Sequence, residues 1–223
     1  MARVNTTSSN TIFLKIYKTL YNSFGPQHWW PGDTPFETMV GAILTQNTNW
    51  NNVNTAIEKI KKANLMHPKK LLACHRKIPQ LIKSSGFYRM KSKYLRAFLR
   101  YYVDDYNGSA EKLSAKKTHV LRKELMAIPG IGPETADSIL LYALGKRIFV
   151  VDTYTRRIFS RHKIIAHDQP YDTVQETIEQ NLPSNTRLYN EFHALLVKTG
   201  KEYCRKNDPL CNTCPLGTML SRN

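Results

Sequence analysis

The stretch "LMAIPGIGPETADSILLYA", residues 125–143, interrupts two apolar helical patterns with Pro129-Gly130-Ile131-Gly132 and resumes the second pattern at Pro133. The two glycines permit left-handed backbone conformations and leave no Cβ between the chain and a ligand. Because the second helix begins near Pro133, its first N–H groups and the positive end of its dipole face whatever lies above the turn. Such a turn suits a phosphate group held through the backbone. The alternative is a tight connection between two helices.

The composition indicates a globular protein that binds a polyanion. The chain has 223 residues, 41% of them hydrophobic, with 33 Lys and Arg against 17 Asp and Glu, a formal net charge of +16. This excess favours nucleic acid as the partner over an acidic membrane surface. No apolar run is long enough to span a bilayer, and the polar start "MARVNTTSSN" does not look like a secretion signal. With only four unevenly spaced cysteines, we expect a reducing, cytoplasmic location and no membrane partner.

The hydrophobic pattern predicts an all-α fold of about ten short helices. Apolar residues recur at helical spacing in "TIFLKIYKTLYNSF", residues 11–24, and in "FETMVGAILTQN", residues 36–47, which follows an Asp-Thr-Pro helix start. Only "RIFVVDTY", residues 147–154, looks strand-like, and its four apolar residues are too few to separate a strand from a buried segment.

Asp152 is the candidate catalytic residue. It follows three apolar residues and precedes Thr153, so its carboxylate is expected to be partly desolvated and close to a helix start. Such a position holds either a structural cap or a catalytic acid. Its fixed separation from the hairpin favours the catalytic role.

These motifs together resemble the endonuclease III superfamily of DNA glycosylases. The resemblance rests on the Ile-Pro-Gly-Ile-Gly turn followed about twenty residues later by Val-Asp-Thr. Three further segments match: "GAILTQNT" (residues 41–48), "SGFYRMKSKYL" (residues 85–95) and "CRKNDPLCNTCPL" (residues 204–216). The stretch "HWWPGDTPFETMVGAILTQNT", residues 28–48, is more similar still to the 3-methyladenine DNA glycosylase III type.

The resemblance implies two helical domains with a DNA-binding cleft between them. One is a six-helix barrel over residues 33–145, with the helix-hairpin-helix motif at about 125–143. The other combines residues 1–32 with residues 146–223 and carries a Cys-rich loop at 204–214. The expected partner is double-stranded DNA with a damaged base, and the expected state is a monomer.

The implied activity is base excision repair by a monofunctional DNA N-glycosylase. Asp152 would stabilise the oxocarbenium-like transition state after the damaged base is flipped out. Pro129-Gly130-Ile131-Gly132, Glu134 and Thr135 would lie on the DNA backbone. Family members that also cut the strand carry lysine where this chain has Glu134, and a glutamate cannot form a Schiff base. A lysine supplied from elsewhere is the alternative.

The resemblance places three tryptophans and one glutamine at the predicted substrate site. Trp29, Trp30 and Trp50 flank the helix that ends near Gln46, and indole rings favour the cationic ring of an N-alkylated purine such as 3-methyladenine. The alternative is that the tryptophans only pack the core. Gln46 would fill the gap left by the flipped nucleotide, or else cap its helix.

The sequence does not decide the role of two basic clusters, and it leaves two alternative functions. The residues of Arg89–Lys93 and of Arg156–Arg157 either contact the DNA backbone or form solvated faces. One rival is an endonuclease III-like glycosylase acting on oxidised pyrimidines, with or without AP lyase activity. The other is a non-catalytic helix-hairpin-helix protein that only binds DNA.

The cysteine tail reproduces part of the family's iron–sulfur loop. Cys204, Cys211 and Cys214 have the spacing of three of the four cluster ligands, but the fourth position is Leu220. A [4Fe–4S] cluster is normally held by four ligands. Either a cluster persists with an unusual fourth ligand, or the loop is a remnant, and a zinc site is less favoured. Cys74, far away in sequence, is expected to be a buried small hydrophobe.

Overall fold

The computed structural model describes residues 6–219, among which helices are the regular secondary structure and no β-strand is present. The all-α prediction is therefore confirmed. The helices, in chain order, are α1 (Thr6–Phe24), α2 (Pro35–Leu44), α3 (Trp50–Lys62), α4 (Pro68–Ala73), α5 (Ile78–Leu81), α6 (Tyr88–Arg100), α7 (Ala110–Ser114), α8 (Thr118–Met126), α9 (Pro133–Ser138), α10 (Thr153–Arg161), α11 (Tyr171–Gln180) and α12 (Thr186–Glu202). Five-residue π-helical turns at Tyr101–Asp105 and Ile139–Ala143 extend α6 and α9, respectively. Within the described part of the chain, no helix has both the length and the apolar character needed to cross a membrane.

The chain divides into two compact units. The middle unit comprises residues 30–146 and contains α2 to α9. The terminal unit combines residues 1–29 with residues 147–223 and contains α1, α10, α11 and α12. The hairpin lies in the middle unit and Asp152 lies in the terminal unit.

Helix α2 forms the centre of the middle unit. It begins where the Thr34 hydroxyl accepts the Glu37 N–H at 3.2 Å, with Pro35 in the first turn. All of its residues after Pro35 are buried, which is typical of a helix surrounded by others on every side. The backbone of Gly41 lies against two indoles, since a Cβ built there would meet atoms of Trp30 at 3.3 Å and of Trp50 at 3.5 Å.

A buried ion pair joins the two helices of the hairpin. Arg122 on α8 donates from Nε and Nη2 to the two carboxylate oxygens of Asp137 on α9, at 2.7 and 3.1 Å. Asp137 is fully buried, so its charge depends on this two-pronged partner. The pair links the two helices that flank the hairpin turn.

The terminal unit is built on an aromatic core between α1, α10 and α12. Phe13 packs edge-on against Phe159, with ring centroids 5.3 Å apart. Phe192 contacts both Phe159 and Phe149. These rings belong to α1, to α10, to α12 and to the segment before Asp152, so the core holds that segment against the helices.

Candidate active site and nucleic-acid interface

One of the two hairpin glycines, Gly130, has the left-handed conformation that glycine permits. The Ile131 N–H donates to the Ile128 carbonyl at 3.0 Å, and Gly130 has a φ of +83°. A Cβ at Gly130 would also fall within 2.4 Å of the Tyr94 ring. Helix α9 begins at Pro133, as predicted. Gly130 is therefore required both by the turn and by the close approach of Tyr94.

Gly132 differs from Gly130 because it faces open space. Its φ of −87° suits any residue, and a Cβ there would meet no atom within 4 Å. Gly132 is the N-cap of α9 and contributes no side-chain cap, while the side chain of Glu134 in the first turn is exposed. The start of α9 thus presents backbone to the surroundings without a side chain in the way.

The side chain of Gln46 binds the hairpin. Its Nε2 donates to the Gly130 carbonyl at 2.9 Å and to the Thr135 hydroxyl at 3.1 Å. The Thr45 N–H bonds back to the Gly41 carbonyl and closes α2, so Gln46 is not the capping residue. Three of the residues predicted to act at the DNA are therefore in contact with one another.

A buried lysine ties the end of α2 to the turn before α6. The Lys91 ammonium donates to the carbonyls of Leu44 and Ser85, at 2.8 and 2.6 Å, and Lys91 is 2% exposed. Burial lowers the pKa of Lys91 to about 8. Lys91 thus cannot be one of the backbone-contacting cations of the Arg89–Lys93 cluster, whereas Arg89 and Lys93 are exposed.

Phe87 is a candidate site residue that the sequence analysis did not single out. It lies in the turn before α6, two residues after Ser85, and its side chain is 73% exposed. Its φ of +44° is rare for an aromatic residue, so the backbone is strained in order to present the ring. The signal available in the sequence was an aromatic residue directly after Gly86 and beside basic residues.

The predicted base-binding tryptophans fall in different units. Trp30 and Trp50 pack edge-on with centroids 5.1 Å apart, and Tyr142 adds a third ring 5.2 Å from Trp30. All three are half-buried, so they form an aromatic cluster in the middle unit that is neither sealed in the core nor fully exposed. Trp29 belongs to the terminal unit, where the Lys201 ammonium lies 5.8 Å from its ring centroid.

The segment before Asp152 is a buried extended stretch and not a strand. Its backbone polar groups bond to side chains spaced four residues apart along α11. The Phe149 N–H donates to Glu179, the Phe149 carbonyl accepts from Gln175, and the Val151 N–H donates to the Tyr171 hydroxyl. These three side chains make the backbone hydrogen bonds that a neighbouring strand would otherwise make, and they hold the segment in place.

Asp152 caps α10 and is almost fully buried. Its Oδ1 accepts the Thr155 N–H at 2.7 Å, and its Oδ2 lies 3.5 Å from Nε2 of His193 on α12. Asp152 is 8% exposed. Burial alone would raise the pKa of Asp152, but His193 and the Thr155 N–H hold it below its usual value. The capping role and the catalytic role of Asp152 are therefore compatible, because His193 and the cap both favour the ionised carboxylate.

The second basic cluster is engaged inside the terminal unit. Arg156 donates to the Gln169 carbonyl at 2.7 Å. Arg157 donates to the carbonyls of Cys204 and Gly200, at 2.7 and 3.0 Å. These bonds tie α10 to the Cys-rich loop through Arg157, which was predicted either to contact the DNA backbone or to form part of a solvated face.

The three cysteines of the loop line one small cavity. Cys204, Cys211 and Cys214 share it with His162 and Arg161, whose Nη1 donates to Cys204 Sγ at 3.3 Å. Across residues 6–219, no three His, Cys, Asp or Glu side chains converge as the ligands of a single ion do. Leu220 lies outside the described residues, and Cys74 belongs to the middle unit. These residues do not fit a cluster held by four cysteines, so no chemical step below passes through one.

Comparison with known proteins places these features in a family. Residues 40–184 match the family model described as HhH-GPD superfamily base excision DNA repair protein. The chain is 46% identical over 204 residues to a candidate DNA repair glycosylase of Methanocaldococcus jannaschii, covering 91% of this chain and 92% of that protein.

Two solved structures share the fold. A non-covalent endonuclease III–DNA complex superposes with a TM-score of 0.79 at 22% identity, covering 98% of this chain and 96% of the other. The H. pylori 3-methyladenine DNA glycosylase (MagIII) bound to 1,N6-ethenoadenine superposes with a TM-score of 0.75 at 30% identity, covering 87% and 97%. With the hairpin, the buried Asp152 and the family match in agreement, this chain belongs to the endonuclease III, or HhH-GPD, superfamily of base excision repair DNA glycosylases.

Proposed function

We propose that the chain is a monofunctional DNA N-glycosylase that removes an alkylated purine from duplex DNA, with Asp152 as its catalytic carboxylate. The observation that carries the proposal is the environment of Asp152, a buried carboxylate kept ionised by a helix N-terminus and by His193. A base-excising enzyme needs an anion that is in place before the reaction. That carboxylate must be shielded from water and must stay ionised although it is buried.

The chemistry follows from this charge. As the bond between C1′ and the base breaks, positive charge develops on the sugar, and a fixed carboxylate stabilises it. Because its pKa lies below the usual value, Asp152 serves mainly as an electrostatic stabiliser. Water then attacks C1′, its oxygen forms the new bond, the base leaves with the electron pair of the broken bond, and Asp152 orients the water and receives its proton.

Glu134 supports a glycosylase that does not cleave the DNA strand. Strand cleavage by family members begins with an amine that attacks C1′ and forms a Schiff base, and the family pattern places that lysine at the position of Glu134. Here an exposed carboxylate occupies the first turn of α9, where the helix dipole stabilises it. A carboxylate cannot form an imine, so the product is expected to be an abasic site on an intact strand.

The aromatic cluster of Trp30, Trp50 and Tyr142 supports an alkylated purine as the substrate. A cationic ring gains by stacking on electron-rich indoles, and alkylation already makes the base a good leaving group. For such a substrate, aromatic rings that bind the base and a carboxylate that stabilises the sugar are sufficient, without a protein acid to protonate the base. The 30% identity to a 3-methyladenine DNA glycosylase supports the same substrate class.

Duplex binding is proposed to combine backbone contacts to a phosphate with side chains that insert into the duplex. The open start of α9 at Gly132 would hold a phosphate through backbone N–H groups. Gln46 and the exposed ring of Phe87 are suited to fill the space left by a flipped nucleotide. The net charge of +16 supplies an attraction for DNA that does not depend on base sequence. We propose that one monomer binds one damaged duplex.

A panel of duplexes tests the proposal. Each carries one 3-methyladenine analogue, one oxidised pyrimidine or one mismatch, and products are resolved with and without alkali. We expect cleavage only after alkali, and only with the alkylated purine. Alkali-independent cleavage with a borohydride-trapped covalent complex would show lyase activity, preference for the oxidised pyrimidine would favour the endonuclease III-like alternative, and binding without excision would favour the non-catalytic one.

The chemistry proposed here requires no cofactor, and a cluster in the Cys-rich loop would be structural. Arg161, at one end of α10, donates to the Cys204 sulfur, and Asp152 lies at the other end of the same helix. Iron analysis and the visible spectrum of anaerobically purified protein decide whether these three cysteines recruit a further ligand or stand without a cluster. Replacing Cys211 with serine is the matched variant, because it removes one thiol without disturbing the buried Cys204.

A further inference from the structure

We infer that His193 is a positioning residue for excision, which holds the Asp152 carboxylate ionised and in one orientation while the negatively charged DNA is bound. The inference rests on the proposed catalytic role of Asp152. His193 lies in α12, outside every motif that defines the hairpin, the loop or the Val-Asp-Thr segment.

The geometry gives each carboxylate oxygen its own partner. Oδ1 accepts the Thr155 N–H, and Oδ2 faces Nε2 of His193 at 3.5 Å. His193 is 5% exposed and its ring meets Phe149 edge-on, with centroids 6.2 Å apart. Because α10 and α12 pack together, the two side chains are held by rigid elements on both sides. The carboxylate therefore has little freedom to rotate.

The electrostatic need for such a partner increases when DNA binds. A carboxylate this buried already pays for desolvation, and approaching phosphates are like charges that favour its protonated form. A neutral Asp152 could not stabilise the developing cation. A histidine within ion-pair distance opposes both effects, either as a cation or as an Nε2–H donor.

The surrounding ionisable groups do not take over this role. Tyr154 and Arg157 come from α10, and Arg157 is directed over the Tyr154 ring and toward carbonyls of the terminal unit. Tyr171 and Glu179 come from α11 and bond to the backbone before Asp152. The side chain that does face the Asp152 carboxylate is His193, whose Nε2 lies 3.5 Å from Oδ2.

The test is the pH profile of single-turnover excision for the full chain and for two variants. His193→Phe keeps a ring of similar size against Phe149 but removes the partner of Asp152. We expect a lower rate and an acid limb displaced to higher pH by about one unit or more, the size of effect that a nearby opposite charge has on a carboxyl group. His193→Gln keeps a donor without charge, and its profile should lie between the two.

The outcomes separate this inference from the proposed function. If both variants lose rate equally at every pH, or if neither loses any, His193 does not position Asp152. If wild-type protein excises no base, or Asp152→Asn excises normally, the proposed function has failed instead. If His193→Phe does not fold, the inference is decided by the pH profile of His193→Gln and by unfolding measurements across the acid range. The contribution of Asp152 to the unfolding free energy is measured in each background as the difference from the matching Asp152→Asn protein. As the pH falls, this contribution must decrease less in His193→Gln than in wild type.

Discussion

Nε2 of Gln46 lies 2.9 Å from the carbonyl oxygen of Gly130, so the residue proposed to enter the duplex is bonded to the turn proposed to grip its backbone. The same nitrogen also reaches the Thr135 hydroxyl. The two parts of the interface are therefore one hydrogen-bonded assembly within the middle unit. Backbone binding and insertion into the duplex are expected to be coupled through this side chain.

Replacing Gln46 with alanine should therefore impair excision more than binding. The variant loses both bonds to the hairpin and the group that fills the gap in the duplex. We expect the single-turnover excision rate to fall about tenfold or more, which corresponds to the loss of one or two hydrogen bonds. Binding to an undamaged duplex should change much less. Gln80→Ala, the same change on an exposed position of α5, should leave both quantities unchanged.

The two hairpin glycines should respond differently to alanine. Gly132→Ala adds a methyl group to open space at an ordinary φ, so the melting temperature should stay the same while affinity for any duplex falls. Gly130→Ala combines a φ of +83° with a collision with Tyr94 and should destabilise the fold by about 1–3 kcal/mol. Calorimetry and fluorescence anisotropy measure the two effects. Unchanged affinity in Gly132→Ala would argue against the phosphate grip.

The ion pair between Arg122 and Asp137 should be a large contributor to stability. Arg122→Ala leaves a fully buried carboxylate without its bidentate partner, and such a loss costs about 3–5 kcal/mol. Denaturant unfolding measures it. Lys123→Ala, on the exposed neighbour, is the control and should change stability by less than about 0.5 kcal/mol. An Arg122→Ala protein as stable as the control would contradict the role given to this pair.

Lys91 should give the fold an unusual dependence on alkaline pH. The folded protein releases the Lys91 proton near pH 8, whereas the unfolded chain keeps it up to its ordinary pKa of 10.5. Between these values the unfolded state binds more protons, so the unfolding free energy of wild type should rise with pH relative to Lys91→Met. Lys93→Met, on the exposed neighbour in α6, should run parallel to wild type. A constant difference between wild type and Lys91→Met would show that this burial does not shift the proton.

Local chemistry explains which features were predictable from the sequence. The hairpin and the start of α9 at Pro133 depend on glycine and proline, whose backbone preferences act within a few residues. The segment 147–154 was left open because four apolar residues suit a strand or a buried stretch equally well. Its form is decided by Gln175 and Glu179, which lie on a later helix and give no local signal.

The residues that were missed owe their role to tertiary placement. In the sequence, His193 is a single histidine in an amphipathic helix and has no motif around it. The packing of α12 on α10 brings it to Asp152. Phe87 is of a residue type that is usually buried, yet it is among the most exposed large hydrophobic side chains. In the reverse direction, Lys91 and Arg157 were predicted to contact the DNA backbone or to lie on solvated faces, and both are internal hydrogen-bond donors.

The most direct test of the central claim is single-turnover excision of 3-methyladenine from a duplex by Asp152→Asn. Asparagine is as good an N-cap as aspartate, so α10 and duplex binding should be preserved. We predict that the excision rate falls by at least about a hundredfold while the affinity for the damaged duplex stays close to that of wild type. A variant that binds and excises at the wild-type rate would contradict the assignment of Asp152 as the catalytic carboxylate.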